Sequence, residues 1–491
     1  LRANYNYDGK YFATATVRWD GSSKFADGHR WGSFPSGALA WRISQEEFLR
    51  DVSWIDNIKL RASYGRTGNN DGIGNFDFMV GVNGPNYYPF GPDYYQGFYP
   101  SGIVDKNLKW ETSTEWDFGI DFGFLNSRIN GTIDFYNKNS EHLLYPVELP
   151  LESGGGTMNT NIGKVRNRGF ELSLNTVNIT NRTFEWTTTL NFSLNRNRVN
   201  EINGTGNFAS SSDVSKWLWI GYPYDNVYTW DWTGIVSDRN MVVPDHDIAR
   251  AKGFTPGETV RSCDYYYACY GLTEGQPIIR DKDGNGTIDE NDKVIFDSQP
   301  DFTASLTSNM SYNLPKKGGM IDFSFNLYAS VGGKVASPFL GGDYYDYHDR
   351  GRGKMMFDYY IPAGTLIDCD GMRADGTYIN PVYQTETHYG KWPTPNCGES
   401  DGIGTTLTYF QAARQVTDAS FLKVKNITVG YTFAPQLLKH IGCNQARLYF
   451  TVTNPFVFTK YEGYDPEWAK AALKNQGPSV VSYQIGASIK F

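Results

Sequence analysis

The chain has no run of eighteen apolar residues, and its mean hydropathy is negative. A membrane-spanning helix needs about 20 consecutive apolar residues, so transmembrane helices are excluded. The chain also has no excess of basic residues, with 45 Lys and Arg against 53 Asp and Glu and a formal net charge of −8. This balance argues against nucleic acid as a partner, because such binding depends on a positive surface.

Histidine is scarce, and the six His are scattered without an H-E-x-x-H metal motif. No carboxylate pair can be singled out for acid–base work, and the Gly-rich run at 154–156 follows no strand-to-helix pattern. The sequence therefore predicts that the chain is not an enzyme.

Cysteine is scarce as well, at five residues, and four of them fall in two groups outside the predicted strands. Cys263 and Cys269 bracket a Tyr-rich segment, and Cys369 and Cys397 lie in one long irregular stretch. Two disulfides in an oxidising compartment are one interpretation. Unrelated free thiols are the alternative.

Aromatic residues and glycine are plentiful, at 16% of the chain and 52 residues. This composition, with alternating apolar residues, predicts an all-β protein. The clearest alternation runs from Trp116 to Phe124. Fifteen strands are predicted, near 1–7, 10–20, 33–44, 56–68, 110–124, 128–140, 164–177, 183–199, 214–221, 226–236, 301–313, 319–333, 418–433, 445–457 and 479–491.

The predicted strands favour a membrane barrel over a soluble sheet. Many exceed the ~5–6 residues usual in soluble sheets and reach the ~9–11 that cross a bilayer. The residues expected to face inward are charged or amidic, namely Asp117, Asp121, Asp134, Asp322 and Asn326. A dry core tolerates such residues badly, whereas a water-filled lumen accepts them.

The predicted connections alternate between short and long, as at 125–127 followed by 141–163. An up-and-down meander then places every short turn at one end and every long loop at the other, as in outer-membrane barrels. A propeller or a sandwich has no reason to keep this order. Fifteen is an odd number, whereas single-chain bacterial barrels normally have an even one, so we expect missing strands to close the sheet.

The last strand alternates from Tyr483 to Phe491, with apolar residues on one face. In a soluble sheet that face would pack on a core, and in a membrane barrel it would face lipid. Outer-membrane barrels commonly end on a terminal aromatic residue. Phe491 is therefore expected to act as an assembly signal.

One segment in the connection 237–300 has the spacing D-x-D-x-N-G-x-x-D-x-x-D of a calcium loop. Its flanks read as extended chain, which predicts a structural site rather than a helix-loop-helix sensor. A solvated acidic turn is the alternative. The expected oxygen donors are Asp281, Asp283, Asn285, the backbone of Thr287, Asp289 and Asp292.

Aromatic clusters mark the long connections as a candidate binding surface. Such side chains can stack on sugars or bind peptide, and the alternative is packing between loops or against a partner, where Tyr is also enriched. The clusters contain Tyr94, Tyr95 and Phe98, then Tyr265 and Tyr266, then Tyr344, Tyr345 and Tyr347.

Motifs along essentially the whole chain resemble the SusC/RagA-type TonB-dependent transporters of Bacteroidetes. The calcium-like loop fits this resemblance too. The other segments include Arg18–Phe25, Arg30–Pro35, Ile58–Gly65, Leu108–Thr112, Asn161–Asn167, Leu422–Ile427, Asn454–Phe456 and Gly463–Pro466.

The resemblance implies an antiparallel transmembrane β-barrel of about 22 strands, of which about fifteen would lie here. Residues 1–491 are then expected to be the C-terminal part of the barrel, with the N-terminal plug and first strands absent.

The implied function is import of glycan oligosaccharides or peptides across the outer membrane of a Gram-negative bacterium. The implied partners are a SusD-like lipoprotein and the TonB complex, which acts through the plug. The alternatives are a passive porin, a surface adhesin or a secreted carbohydrate-active β-protein.

Overall fold

The structure is a computed structural model of the 491-residue chain. The residues that it describes are 1–153, 156–202, 212–213, 218–315, 318–337, 358–394, 409–410, 412–438, 442–461, 463, 465–469 and 479–491.

Within these residues one sheet dominates, and it contains thirteen antiparallel strands that each pair with the next in the chain. The strands are β1 (Arg2–Tyr7), β2 (Tyr11–Gly21), β3 (Trp31–Arg42), β4 (Ile55–Asn69), β5 (Glu111–Phe124), β6 (Ile129–Glu148), β7 (Thr157–Thr180), β8 (Phe184–Glu201), β9 (Phe302–Asn313), β10 (Met320–Val331), β11 (Phe421–Thr432), β12 (Gln445–Thr459) and β13 (Ser482–Lys490).

The prediction of fifteen strands is wrong by two, because the segments near 214–221 and 226–236 do not join this sheet. In the second segment, Asn226–Thr229 pairs with Val294–Asp297, and Trp232–Ile235 pairs with Pro277–Ile279. A strand of four residues spans only about 13 Å, which is too short to cross a bilayer. Both segments belong to one long connection, 202–301.

Because exactly two neighbouring strands are lost, every remaining connection keeps its predicted end of the sheet. The connections at one end have at most twelve residues and are 8–10, 43–54, 125–128, 181–183, 314–319 and 433–444. The connections at the other end are 22–30, 70–110, 149–156, 202–301, 332–420 and 460–481, and we call this the end with the long connections. The predicted strict alternation in length fails at 22–30 and 149–156, which are shorter than 43–54.

Short strand pairs and short helices lie in the connections. The remaining paired strands are Val82–Phe90 with Asp93–Pro100, Ser212–Asp213 with Leu218–Trp219, Asn240–Val242 with Thr259–Arg261, Lys334–Ala336 with Val416–Asp418, Leu366–Asp368 with Val382–Tyr383, and Gly371–Met372 with Tyr378–Ile379. The α-helices are Glu47–Arg50, Asp247–Ala251, Ser262–Tyr270 and Pro435–Leu438, and the 3₁₀ helices are Ile43–Gln45, Leu151–Ser153, Glu290–Asp292 and Pro466–Trp468.

No described helix has both the length and the apolar character needed to cross a membrane.

The two faces of the sheet differ in polarity, as period-two alternation requires. On β5 and β6 the large side chains of Trp116, Phe118 and Phe135 are exposed on the outer face. On the opposite face Asp121 and Asp134 are half-buried among polar neighbours. The sheet therefore turns its apolar face outward.

The buried apolar clusters of the described residues all lie at the end with the long connections. The largest contains Trp230, Ile279, Trp392 and Phe410. These segments bury apolar area among themselves, as a water-facing region must. We call the described residues of the connections 202–301 and 332–420 the cap.

The first predicted disulfide is contradicted, since Cys263 and Cys269 are free thiols. They occupy the helix Ser262–Tyr270, where six residues correspond to a rise of about 9 Å. A disulfide needs Cα atoms within about 7 Å, so the helix holds them too far apart. The second predicted pair is not formed either, because Cys369 is a free thiol. Its expected partner, Cys397, lies outside the described residues.

Candidate functional site

Charged side chains on the inner face form ion pairs that cross a neighbouring strand. Arg61 on β4 donates from Nε to Asp121 Oδ1 at 2.7 Å and from Nη2 to Asp134 Oδ1 at 2.7 Å. Arg61 lies opposite Gly119 of β5, which lies opposite Asp134 of β6. A Cβ atom on Gly119 would sit 2.5 Å from Arg61 Nη2. The guanidinium therefore passes over the strand where no side chain stands.

A second ion pair also passes over a glycine, but its arginine lies opposite Thr432 of β11 and reaches the glycine diagonally. Asp322 on β10 lies opposite Gly430 of β11, and Arg447 of β12 donates to it from Nε at 3.0 Å. Asn326, further along β10, donates to Thr307 Oγ1 at 2.6 Å. These partners explain how a barrel wall holds half-buried carboxylates, because charge-assisted hydrogen bonds offset their lost hydration.

The cap is joined by an aromatic cluster between its two connections. The rings of Trp232 and Trp392 stack with centroids 5.4 Å apart, and Phe410 packs edge-on against Trp232 at 5.1 Å. Trp230 Nε1 donates to the backbone oxygen of Asp289 at 2.7 Å, and this bond attaches the calcium-like loop. In the sequence, the Trp residues at 230 and 232 are the only local sign of this cluster, and their partners lie far along the chain.

A cavity of about 410 Å³ opens beside this cluster. Its walls include Trp232, Arg239, Tyr360, Tyr389 and Lys391, so it combines aromatic faces with two basic residues. Sugar and peptide ligands suit such walls, because aromatic rings supply contact area and basic groups supply hydrogen bonds. The sequence pattern did not indicate this cavity, since its residues come from segments far apart in the chain.

Contacts with acidic residues fix the two Tyr of the cavity. Tyr389 donates to Asp238 Oδ1 at 2.6 Å, and the Arg239 guanidinium lies 3.7 Å from the Tyr389 ring centroid. Tyr360 donates to Glu274 Oε1 at 2.7 Å, and burial together with that carboxylate raises the Tyr360 pKa. Both phenols therefore stay neutral and act as donors.

The calcium-like loop brings three of its predicted ligands together. Carboxylate oxygens of Asp281, Asp283 and Asp292 lie within 4.8 Å of one another. Asp281 accepts hydrogen bonds from the backbone of Gly284 at 2.7 Å and Gly286 at 2.8 Å. Gly286 has φ +86°, as the sharp turn of such a loop requires.

The other predicted ligands form hydrogen bonds within the loop. Asp289 accepts from the backbone of Asn291 at 2.7 Å and caps the helix Glu290–Asp292. Asn285 Oδ1 accepts from the backbone of Thr287 at 2.6 Å. Among the described residues, no basic group forms an ion pair with Asp281, Asp283 or Asp292. Three crowded carboxylates without a counter-charge fit an oxygen-liganded cation such as Ca²⁺.

Comparison with known proteins identifies the family. A family profile described as TonB dependent receptor-like, beta-barrel matches residues 1–454. The chain belongs to this TonB-dependent receptor family. The family consists of receptors rather than enzymes, as the sequence predicted, and its barrels lie in the outer membrane.

Relatives of the receptor cover its full length. It is 33% identical to the TonB-dependent receptor SusC of Bacteroides thetaiotaomicron and 32% identical to the TonB-dependent receptor P39 of Formosa agariphila. Each match covers 100% of this chain, but only 43% and 46% of the relatives. The chain therefore spans about half the length of the curated relatives that it matches.

Solved structures share the fold of the receptor. The RagAB peptide importer in its closed-closed state matches with a TM-score of 0.69 at 22% identity, covering 100% of this chain and 47% of that chain. The open-open state of the same importer matches with a TM-score of 0.69, also at 22% identity, and covers 100% and 46%. The predicted barrel fold is thereby confirmed.

The predicted aromatic residues of the receptor divide into two groups. Tyr94, Tyr95 and Phe98 lie on the hairpin Val82–Pro100 and are exposed. Tyr265 is buried and packs against Tyr266 at 5.1 Å, and burial raises the pKa of Tyr265 to about 12. These two Tyr pack within the cap, and the predicted role of all these aromatic residues in binding stays a prediction.

Two other predictions for the receptor are not tested. Tyr344, Tyr345 and Tyr347 lie outside the described residues. Phe491 follows β13 and is exposed, so its role as an assembly signal stays a prediction.

Proposed function

We propose that this receptor imports oligosaccharides, or alternatively peptides, across the outer membrane with energy supplied through TonB. The observation that carries this proposal is a folded cap over one end of a polar-lined wall. A passive pore needs no aromatic cavity in its outer loops, whereas an importer has to capture its ligand before transport. Membership of the TonB-dependent receptor family supports the same proposal.

Glycan is our first choice of substrate because Trp232, Tyr360 and Tyr389 line the cavity, and aromatic faces stack well on sugar rings. Peptide is the second choice, and it rests on the likeness in fold to an importer of peptides. Arg239 suits either ligand, since it can bind a sugar hydroxyl or a peptide carboxylate.

A SusD-like lipoprotein is the proposed partner at the end with the long connections. The exposed hairpin Val82–Pro100 is our candidate contact, because its Tyr and Phe side chains form an aromatic surface of the kind enriched at interfaces. Substitution of Tyr94 and Phe98 by Asp should abolish co-purification of the lipoprotein. Retained co-purification would contradict this contact.

Uptake measurements test the import proposal. A strain that lacks the receptor should lose growth on one class of glycan or peptide in a panel, and loss of TonB should abolish the same growth. Uptake that persists without TonB would indicate a passive pore instead. Hydrolysis of any glycan by the purified receptor would contradict the proposal.

The cavity is tested by a matched pair of substitutions in the cap. Tyr389→Ala removes an aromatic wall, and we expect at least a tenfold loss of ligand affinity, the equivalent of about 1.4 kcal/mol. Tyr378→Ala is the control, because Tyr378 is similarly exposed in the same connection but lies outside the cavity. Equal affinities for the two variants would place the ligand elsewhere.

We also propose that the loop 281–292 binds Ca²⁺ in a structural role. Added Ca²⁺ should protect the connection 202–301 from protease, and a chelator should remove that protection. Asp283→Asn should abolish the effect of Ca²⁺, whereas Asp375→Asn, in another acidic turn, should leave it unchanged. Protection that is independent of Ca²⁺ in the unsubstituted receptor would contradict the proposal.

A further inference from the structure

Four arginines lie together on two neighbouring strands, near the end with the long connections. The chain reads Arg-Asn-Arg in both strands, at Arg166 and Arg168 of β7 and at Arg196 and Arg198 of β8. The register places Arg168 opposite Arg196. Arg166 lies opposite Arg198 in the same way. The four side chains share one face of the sheet, and we call them the arginine patch.

The arginine patch lies on the outer face of the sheet. Phe170 comes two residues after Arg168 on β7, so these two side chains share a face. The Phe170 ring contacts Phe135, which is exposed on the apolar outer face, with centroids 5.0 Å apart. It also contacts Phe192 of β8 at 6.0 Å, and Arg196 lies an even number of residues beyond Phe192. All four arginines therefore face away from the lumen.

A largely apolar stretch of the outer face ends at the arginine patch. Before its arginines, the outer face of β8 carries Trp186, Thr188, Leu190, Phe192 and Leu194. From Trp186 to Leu194 the strand rises about 27 Å, or about 21 Å across the bilayer at a tilt of about 40°. The apolar band of an outer-membrane barrel is about 25 Å tall, so the arginines begin where this band ends. β8 then enters the long connection 202–301, which places the patch at the extracellular end.

Only half of the arginine patch is neutralised by described residues. Arg196 Nη2 pairs with Asp301 Oδ1 at 3.0 Å, and Arg198 Nη1 lies 3.5 Å from Asp297 Oδ2. The side chains of the two arginines of β7 form no ion pair or hydrogen bond with any described residue. Like charges directly opposite each other destabilise a sheet. An anion bound at the two arginines of β7 would relieve this repulsion.

A phosphorylated lipid headgroup is the anion that this position fits. Guanidinium groups bind phosphate oxygens through two parallel N–H donors. Basic residues that adjoin a hydrocarbon-facing surface bind phosphate-bearing headgroups, because the lipid chains and the headgroup then find partners side by side. The rings of Phe170 and Phe192 supply the apolar surface directly below the arginines. An acidic protein partner would have no use for apolar rings at lipid depth.

We propose that the arginine patch binds the phosphate-bearing headgroup of a glycolipid in the outer leaflet of the outer membrane. Arg166 and Arg168 bind the phosphate oxygens, and the two paired arginines of β8 add to the positive potential. The lipid chains lie against Phe170 and Phe192. Because the chain as a whole has a net charge of −8, a local basic patch is needed to hold an anionic lipid.

The two forms of one lipid test this proposal on the purified, folded receptor in non-ionic detergent. The probes are lipopolysaccharide and the same lipopolysaccharide after treatment with phosphatase, and native mass spectrometry measures their binding. We expect the phosphorylated form to bind about tenfold more tightly. Equal affinities would overturn the proposal. This comparison needs only the unsubstituted receptor, so it decides the proposal even if a variant does not fold.

Substitutions assign the preference for phosphate to the arginine patch. Arg166→Gln combined with Arg168→Gln should abolish the preference. Arg50→Gln combined with Arg182→Gln is the control, because it removes the same charge from exposed positions at the opposite end of the sheet and should leave the preference unchanged. Heat-modifiable gel mobility shows that each variant is folded. A preference that survives in the first variant would overturn the assignment.

Two further outcomes would replace the lipid by another partner. Inorganic phosphate that abolishes the preference would show a site for the free anion. Loss of a co-purifying lipoprotein from the Arg166 and Arg168 variant, with the lipid preference unchanged, would show a protein contact. We expect neither outcome, since the patch adjoins the apolar band and faces away from the lumen.

Discussion

Lys423 shows how one residue can hold a long connection against the sheet. Its side chain is 1% exposed, and Nζ lies 2.7 Å from Asp465 Oδ2 and 2.9 Å from Glu467 Oε2. The pair joins β11 to the helix Pro466–Trp468. A buried charge left without its partner is costly, so each of these groups depends on the others.

Removal of this lysine should therefore detach the connection. We expect Lys423→Met to cost about 3–5 kcal/mol, because two carboxylates lose their buried cation. Lys425→Met is the matched control, since Lys425 pairs with the same Glu467 but is more exposed and is worth about 0–1 kcal/mol. Protease cleavage within Tyr461–Ala469 should be faster in the first variant alone. Equal rates would show that the buried pair does not hold the connection.

The same carboxylates predict a loss of stability in acid. Burial by itself raises the pKa of both carboxyls, but hydrogen bonds outweigh it and lower both pKa values. Lys423 and Ser479 donate to Asp465, and Lys423 and Lys425 donate to Glu467. A lowered folded-state pKa contributes stability above the ordinary value of about 4, and this is lost as the pH falls through the folded value. Protection factors for amide exchange in 465–469, which are corrected for the intrinsic pH dependence of exchange, should be high at pH 7 and at pH 5 and should fall below about pH 4. Asp465→Asn should weaken that dependence.

Side chains that pass over a glycine act at the scale of the strand, because Arg61 over Gly119 and Arg447 over Gly430 each reach the second strand along. The sequence shows the glycines of β5 as half of an alternation with Phe and Ile, and gives no reason to treat them as different from other glycines. The reason appears only in the register, which places Gly119 between Arg61 and Asp134.

Alanine substitutions separate such glycines from ordinary ones. Gly119→Ala places a methyl group against Arg61 and Asp134, and overpacking of this kind costs about 1–3 kcal/mol. Gly37→Ala is the control, since its nearest neighbour would be Thr14 O at 3.7 Å, and it should stay within about 0.5 kcal/mol. Unfolding in detergent measures both. Similar losses would show that Gly119 is not tightly packed between Arg61 and Asp134.

The strands also show where prediction from sequence succeeds. β5 and β6 were predictable because their alternation persists over nine or more residues, and a wet inner face requires it. The segment 226–236 alternates as well, but its partners lie near 277–297, and such distant pairing leaves no local pattern. The helix Ser262–Tyr270 was missed because its Tyr-rich sequence is not amphipathic, and the disulfide prediction failed with it.

The candidate site likewise contains one part that the sequence predicts and one part that it does not. The loop 281–292 was predictable because its ligands follow a fixed local spacing, and Asp281, Asp283 and Asp292 do come together. The cavity was not predictable from the sequence, because Tyr389 and its partner Asp238 are 151 positions apart in the chain. Local spacing is visible in a single sequence, whereas contacts between connections depend on the folded cap.

The molecule as a whole is two-sided, with short connections at one end and the cap at the other. In an outer-membrane barrel the long loops face the outside. On intact cells a membrane-impermeant maleimide should therefore label Ala374→Cys in the cap. Arg182→Cys, in the short connection 181–183, should react only after the outer membrane is permeabilised. Both variants need a background in which the five native cysteines are replaced by serine, and the reverse pattern would invert the proposed orientation.

The packing of Trp232 on Trp392 has a consequence for how the receptor assembles. These rings belong to connections separated by β9 and β10, so we expect them to stack in the cap only when the intervening hairpin spans the bilayer. The free energy gained by burying these rings in the cap is then available only after the strands have inserted. Withdrawal of β9 and β10 from the bilayer would separate these rings and expose them to water. The cap therefore opposes withdrawal of the inserted strands.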